Sequence, residues 1–169
     1  MHIAITYESI HKANAAFWEQ MLAMQLQPEL SSDEMHSQCI GSEHVAGSCD
    51  LSGTWSGRIE VRLSRGLAYR ATSAMLMLAQ DQVQAADMLD AVKEIANMIA
   101  GTLKSALPRP CTMTVPSAQI ESSDFCILPQ TEDSVTVFFR HSEGELMVRV
   151  WEQPQVLENE RCSYTQLCA

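Results

Sequence analysis

The chain has 169 residues, with 11 Lys and Arg against 21 Asp and Glu, for a formal charge of −10. That length fits one domain, which can bury enough surface to fold without disulfides or a metal. The acidic balance and the lack of any basic run exclude a nucleic-acid binder and disfavour an anionic membrane surface, since both rely on clustered Lys and Arg.

No apolar stretch approaches the ~20 residues of a membrane span. The opening Met1-His2-Ile3-Ala4-Ile5-Thr6-Tyr7-Glu8 lacks the basic segment and long apolar run of a secretory signal, which predicts a cytoplasmic chain. The first helical pattern covers about 8–26. Ile10, Ala13, Phe17, Met21 and Met24 recur at threes and fours, and Pro28 is expected to end it. Residues 29–37 are polar and read as a loop.

Two strands follow, at about 44–52 and 55–63, around the turn segment Gly53-Thr54-Trp55-Ser56-Gly57. In the second, Ile59, Val61 and Leu63 alternate with Arg58, Glu60 and Arg62, so one face is expected to be buried and the other wet. A helix at about 66–79 is broken at Asp81-Gln82. A longer helix at about 84–107 is stopped by Pro108-Arg109-Pro110.

Strands are then expected at about 111–116, 118–121, 134–140 and 145–150, the last two joined by a turn at Ser142-Glu143-Gly144. The order gives an α/β fold, with long helices packed on a sheet. Residues 1–151 read as one domain and 152–169 as a polar C-terminal tail.

The helix at 84–107 carries the strongest signal. At 100° per residue, Val92, Ile95, Ala96, Ile99 and Leu103 share one side, which faces the core. Asp87, Asp90, Glu94, Asn97, Gly101 and Lys104 form a stripe on the opposite side, with Glu94 and Asn97 as neighbours. A wet face alone would produce such a stripe. Two members are poor choices for one. Gly101 costs about 1 kcal/mol relative to Ala inside a helix. Asn97 competes for backbone hydrogen bonds. A bare glycine beside a short polar pair leaves room for another molecule.

The segment Asp90-Ala-Val-Lys-Glu94-Ile-Ala-Asn97-Met-Ile-Ala-Gly101-Thr-Leu-Lys104 resembles the signature helix of the CheC/CheX family, chemotaxis-type phosphatases acting on response regulators. There a Glu followed three residues later by Asn, then by Gly, marks the active helix. Leu51 to Ile59 resembles the family's glycine-flanked strand pair, Ala68 to Leu78 the next helix, and Thr112 to Pro116 the strand after the active helix. The likeness covers about 45–150.

The first helix has no second motif, since Glu8 is followed by His11, so the chain resembles the single-site, CheX-like branch. A glycine that members often carry after the Pro116 strand is replaced by Glu121-Ser122-Ser123. The resemblance implies a CheC/CheX-like, antiparallel-rich sheet.

It also implies a phosphatase for the phosphoaspartate of a receiver domain. An acyl phosphate has a good leaving group, and its hydrolysis needs an in-line water and charge neutralisation. The receiver would supply Mg²⁺ and a Lys, and this chain would bind no cofactor or metal of its own. Asn97 would orient the water, because a carboxamide both accepts and donates hydrogen bonds but is no base. Glu94 would pair with the receiver's Lys. Gly101 would allow close approach, flanked by Asp90 and Lys104. Met98 borders the stripe, where core packing and partner contact both stay open. A homodimer is a further implication. The alternatives are a non-catalytic receiver-binding scaffold and a component related to flagellar switch proteins.

Other features have plain readings. The six cysteines include no CxxC pair and read as free thiols. His36, Cys39, His44 and Cys49 are metal-ligand types, but their spacing matches no zinc pattern. The ten methionines and the three tryptophans read mainly as core. No P-loop or GxGxxG supports nucleotide binding.

Overall fold

A computed structural model describes residues 5–29, 39–40, 43–122, 125–126 and 133–153 of the chain. The elements are α1 (Tyr7–Leu22), β1 (Gln27–Glu29), β2 (Cys39–Ile40), β3 (His44–Gly53), β4 (Gly57–Ser64), α2 (Arg65–Leu76), α3 (Ala85–Lys104), β5 (Cys111–Met113), β6 (Ser117–Glu121), β7 (Phe125–Cys126), β8 (Ser134–His141) and β9 (Gly144–Glu152). A short 3-10 turn at Gln80–Gln82 replaces the break expected between the second and third helices.

Seven strands form one sheet in the order β1-β8-β9-β4-β3-β5, with β6 also pairing β3, and every pairing is antiparallel. The three helices pack on one face and on each other. The core between them joins Ile10, Phe17 and Trp18 of α1 to Val45, Ile59, Val61, Leu63, Phe139, Leu146 and Val148 of the sheet. This is the α/β, antiparallel-rich arrangement expected. No helix among the described residues is long and apolar enough to cross a membrane.

The boundaries shift for local reasons. α1 ends at Leu22, not near residue 26, because Ala23 turns left-handed (φ 52°) and the Met24 N–H donates to the Trp18 carbonyl at 2.9 Å. Met24 is still buried, but the chain has already left the helix. Pro28 therefore terminates nothing. It lies in β1 opposite Phe139, on an edge strand where a missing N–H is tolerated. Glu29 belongs to that strand too, and residues 30–37 of the expected loop lie outside the described residues. α2 stops at Leu76, where Met77 adopts φ 54°.

The expected strands at 111–116 and 118–121 are two halves of one edge. Leu51 faces Met113 and Ser48 faces Ser117, so the edge carries one residue more than β3 between those points. That surplus is a bulge at Thr114-Val115-Pro116, pinned by the Thr114 N–H on the Asp50 carbonyl at 2.9 Å. β8 and β9 make the expected hairpin, with Gly144 at φ 143°.

The face of β4 expected to be wet is largely shielded. Arg62 bridges Glu60 and Glu121, and the Arg62 and Glu60 side chains are only 12% and 14% exposed. His44 is fully buried in the same network, with Nε2 2.8 Å from Glu121 Oε2 and 2.7 Å from Arg62 Nη1. Cys49 sits in the core on the opposite face of β3, so His44 and Cys49 do not converge. His36 and all but the first two residues of the expected 152–169 tail lie outside the described residues.

Candidate functional site

α3 is positioned by its apolar side. Met88, Ala91, Val92, Ile95, Ala96, Ile99, Ala100 and Leu103 are buried against the sheet and the other helices. Burying eight side chains on one stripe orients the helix, so the residues between them must face outward. Asp90, Glu94 and Gly101 are exposed, while Asn97, Met98 and Lys104 are half-buried.

The six predicted residues divide by what they touch. The Glu94 carboxylate and the Asn97 carboxamide form no hydrogen bond or ion pair with any described residue. They sit three residues apart on one face, adjacent and uncommitted. A methyl group built on Gly101 would meet nothing within 4 Å, so internal packing does not require glycine there. Lys104 is likewise unpaired among the described residues. Asp90 is taken, since Lys93 Nζ lies 3.1 Å from its Oδ1. Met98 packs against the core.

Asp87, the first acid of the stripe, has a structural role. Its Oδ2 accepts the Gln84 N–H at 2.9 Å and caps the helix start. Acid at this end also complements the helix dipole.

A groove of about 760 Å³ continues the stripe past Gly101. Its walls are Gly101, Lys104 and Ser105 on the helix side and Arg109, Pro110, Cys111, Thr112 and Met113 on the β5 side. Arg109 was not legible as a site residue, because between two prolines it reads only as part of a helix stop. Its place in the groove depends on β5 returning to pair with β3.

Among the described residues, no three His, Cys, Asp or Glu side chains are placed to hold an ion. The site itself presents, among the described residues, an unpaired amide and an unpaired carboxylate on the outer face of α3.

The family model described as "Chemotaxis phosphatase CheX" matches residues 45–140, more than half of the chain. No curated protein matches the sequence. Among solved structures, the chemotaxis protein CheX of Vibrio vulnificus is similar with a TM-score of 0.71 at 18% identity, covering 90% of this chain and 100% of its own. CheX of Desulfovibrio desulfuricans is similar at 0.66 and 22% identity, covering 86% and 97%. The CheX of a CheX–CheY–BeF₃–Mg²⁺ complex from Borrelia burgdorferi is similar at 0.62 and 18% identity, covering 87% and 97%. With β3, β4, α2, α3 and most of β8 inside the family match, the chain belongs to the CheX family of chemotaxis phosphatases.

Proposed function

We propose that this chain hydrolyses the phosphoaspartate of a response-regulator receiver domain, with Asn97 orienting the attacking water and Glu94 docking the partner. The observation that carries the reading is the pair itself. Asn97 and Glu94 are adjacent on α3, have no described partner, and lie about one and two turns from a glycine with open space over it. The CheX family membership and the structure of a relative in complex with CheY support it.

In this reaction water attacks phosphorus in line, the bond to the aspartyl oxygen breaks, and inorganic phosphate and a free carboxylate result. The carboxylate leaves without help, so no acid is required of this chain. The Asn97 carbonyl oxygen accepts a hydrogen from the water, and its NH₂ can donate to a phosphoryl oxygen. The gain comes from position, since the amide cannot take the proton. Glu94, exposed on the approach side, pairs with a receiver lysine. Mg²⁺ belongs to the receiver and supplies charge neutralisation there. Lys104 and Gly101 contribute contact surface, while Asp90 and Met98 are already engaged within the chain and contribute less.

The test is the decay of a purified phospho-receiver with and without this protein. Acceleration that Asn97→Ala abolishes supports the assignment. A wild-type protein that binds the receiver without accelerating decay would favour the scaffold reading.

A further inference from the structure

We infer that the groove at the C-terminal end of α3 is a second contact on the same partner, and that it receives an acidic segment of the receiver domain between Lys104 and Arg109. The partner's identity rests on the proposed function. The charge chemistry of the groove does not.

The groove is selective in charge. The chain carries 21 acidic residues against 11 basic ones, yet the described residues of the groove wall include two cations and no carboxylate. Those cations are uncommitted. Arg58, Arg62, Arg65, Lys93 and Arg140 each pair with a carboxylate of this chain, whereas Lys104 and Arg109, like Lys12 and Arg70 elsewhere on the surface, pair with no described residue. Lys104 also has a local explanation, because a cation in the last helical turn complements the dipole. Arg109 has none. It lies beyond the helix, after Pro108, and is exposed.

The groove is continuous with the candidate site, since Gly101 belongs to both. The combined surface is therefore polar along its length. Glu94 lies at one end, Asn97 and the bare Gly101 in the middle, and Lys104 about 15 Å along the axis from Glu94. A partner matching this surface must present a cation at the Glu94 end and acid at the Lys104–Arg109 end. That polarity fixes the direction in which the partner lies on α3, and like charge in the reversed orientation opposes it.

The test uses the full chain and two probes: a beryllofluoride-activated receiver domain and a synthetic Asp/Glu-rich peptide. Arg109→Glu and Lys104→Glu are compared with Lys12→Glu, which changes net charge equally from an exposed position on α1. Circular dichroism checks that each variant is folded. Charge reversal in the groove is expected to weaken binding of the activated receiver roughly tenfold, with Lys12→Glu within about twofold of wild type.

Equal receiver affinity for wild type and Arg109→Glu overturns the groove assignment and leaves the phosphatase reading standing. Equal losses in Lys12→Glu and Arg109→Glu also overturn it, because net charge then explains the effect. A wild-type protein that ignores the receiver but binds the acidic peptide, with loss in Arg109→Glu, keeps the acidic-ligand groove and removes the receiver. Binding of inorganic phosphate but of neither probe overturns it as well.

Discussion

Gly47 on β3 lies directly under Val92 on α3, and a methyl group at position 47 would stand 2.8 Å from Val92 Cγ1 and 2.9 Å from the Val92 carbonyl oxygen. This contact sets how closely the site helix approaches the sheet. Backbone carbonyl oxygen cannot step aside as a flexible side chain can. Gly47→Ala is therefore expected to lift or tilt α3, destabilising the protein by about 1–3 kcal/mol. Urea denaturation checks the stability. A parallel fall in phosphatase rate would report the shift of Asn97, which lies little more than one turn further along the same helix.

Gly101 should behave in the opposite way. Its Cβ position is open, and glycine inside a helix is about 1 kcal/mol worse than alanine. Gly101→Ala is expected to raise the thermal midpoint by about 2–4 °C. It should also weaken binding of the phosphorylated receiver, because the methyl group occupies the approach surface. A stabilised variant with reduced affinity separates a binding role from a folding role at one position. Gain of stability with unchanged affinity would remove Gly101 from the interface.

Asn97→Ala is expected to lower the phosphatase rate about 100-fold, the scale set by losing orientation of a reacting water. Because the amide bonds to no described residue, stability should change by less than about 1 kcal/mol. Glu94→Ala should instead raise KM and leave the rate at saturation closer to wild type. Single-turnover decay of the phospho-receiver, run at several enzyme concentrations, distinguishes the two.

The far end of the sheet gives a pH prediction. Burial works to raise the Glu121 carboxyl, but hydrogen bonds from Arg62, Gln119 and His44 and the Arg62 charge outweigh it and bring it down to about 2 from 4.5. The groups facing it are Arg62, His44 and Gln119, with Glu60 sharing Arg62. A carboxyl lowered in the folded state adds stability above its unfolded value. That stability is lost as pH falls from about 4.5 toward about 2. Glu121→Gln is expected to cost about 1–2 kcal/mol at pH 7, allowing for its partial exposure to solvent. It should also flatten the acid limb of the stability curve over that window. Denaturation midpoints measured from pH 7 to pH 2 check both.

Much of the candidate site's geometry is legible in consecutive residues alone. The stripe on α3 follows from helical periodicity, and the structure keeps Val92, Ile95, Ala96, Ile99 and Leu103 inside and Glu94 and Gly101 outside. The alternation in β4 likewise predicted which of its residues enter the core. Such patterns are local, because a period of 3.6 or 2 is carried by consecutive residues alone. Ends of elements were less legible. Pro28 looked like a helix stop, but the stop was made by Ala23 and a hydrogen bond to Trp18, while Pro28 entered an edge strand. Asp87 belongs to the stripe by periodicity, and only the structure shows that it caps the helix.

By itself, the sequence determined the acidic balance, the order of the three helices and of the strands β3 to β6, β8 and β9, and the Glu94–Asn97–Gly101 face, since each depends only on composition or short-range spacing. Tertiary structure alone decided the rest. Pairing of β5 with β3 brings Arg109 and Cys111 alongside Gly101 and Lys104, and pairing of β6 with β3 joins Glu121 to His44 and Arg62. It also decided how near α3 comes to the sheet, through Gly47 and Val92. These relations link residues far apart in the chain, or segments that meet only once a strand has turned back into the sheet. Strand register and packing distance create them, and no periodicity along the chain encodes either.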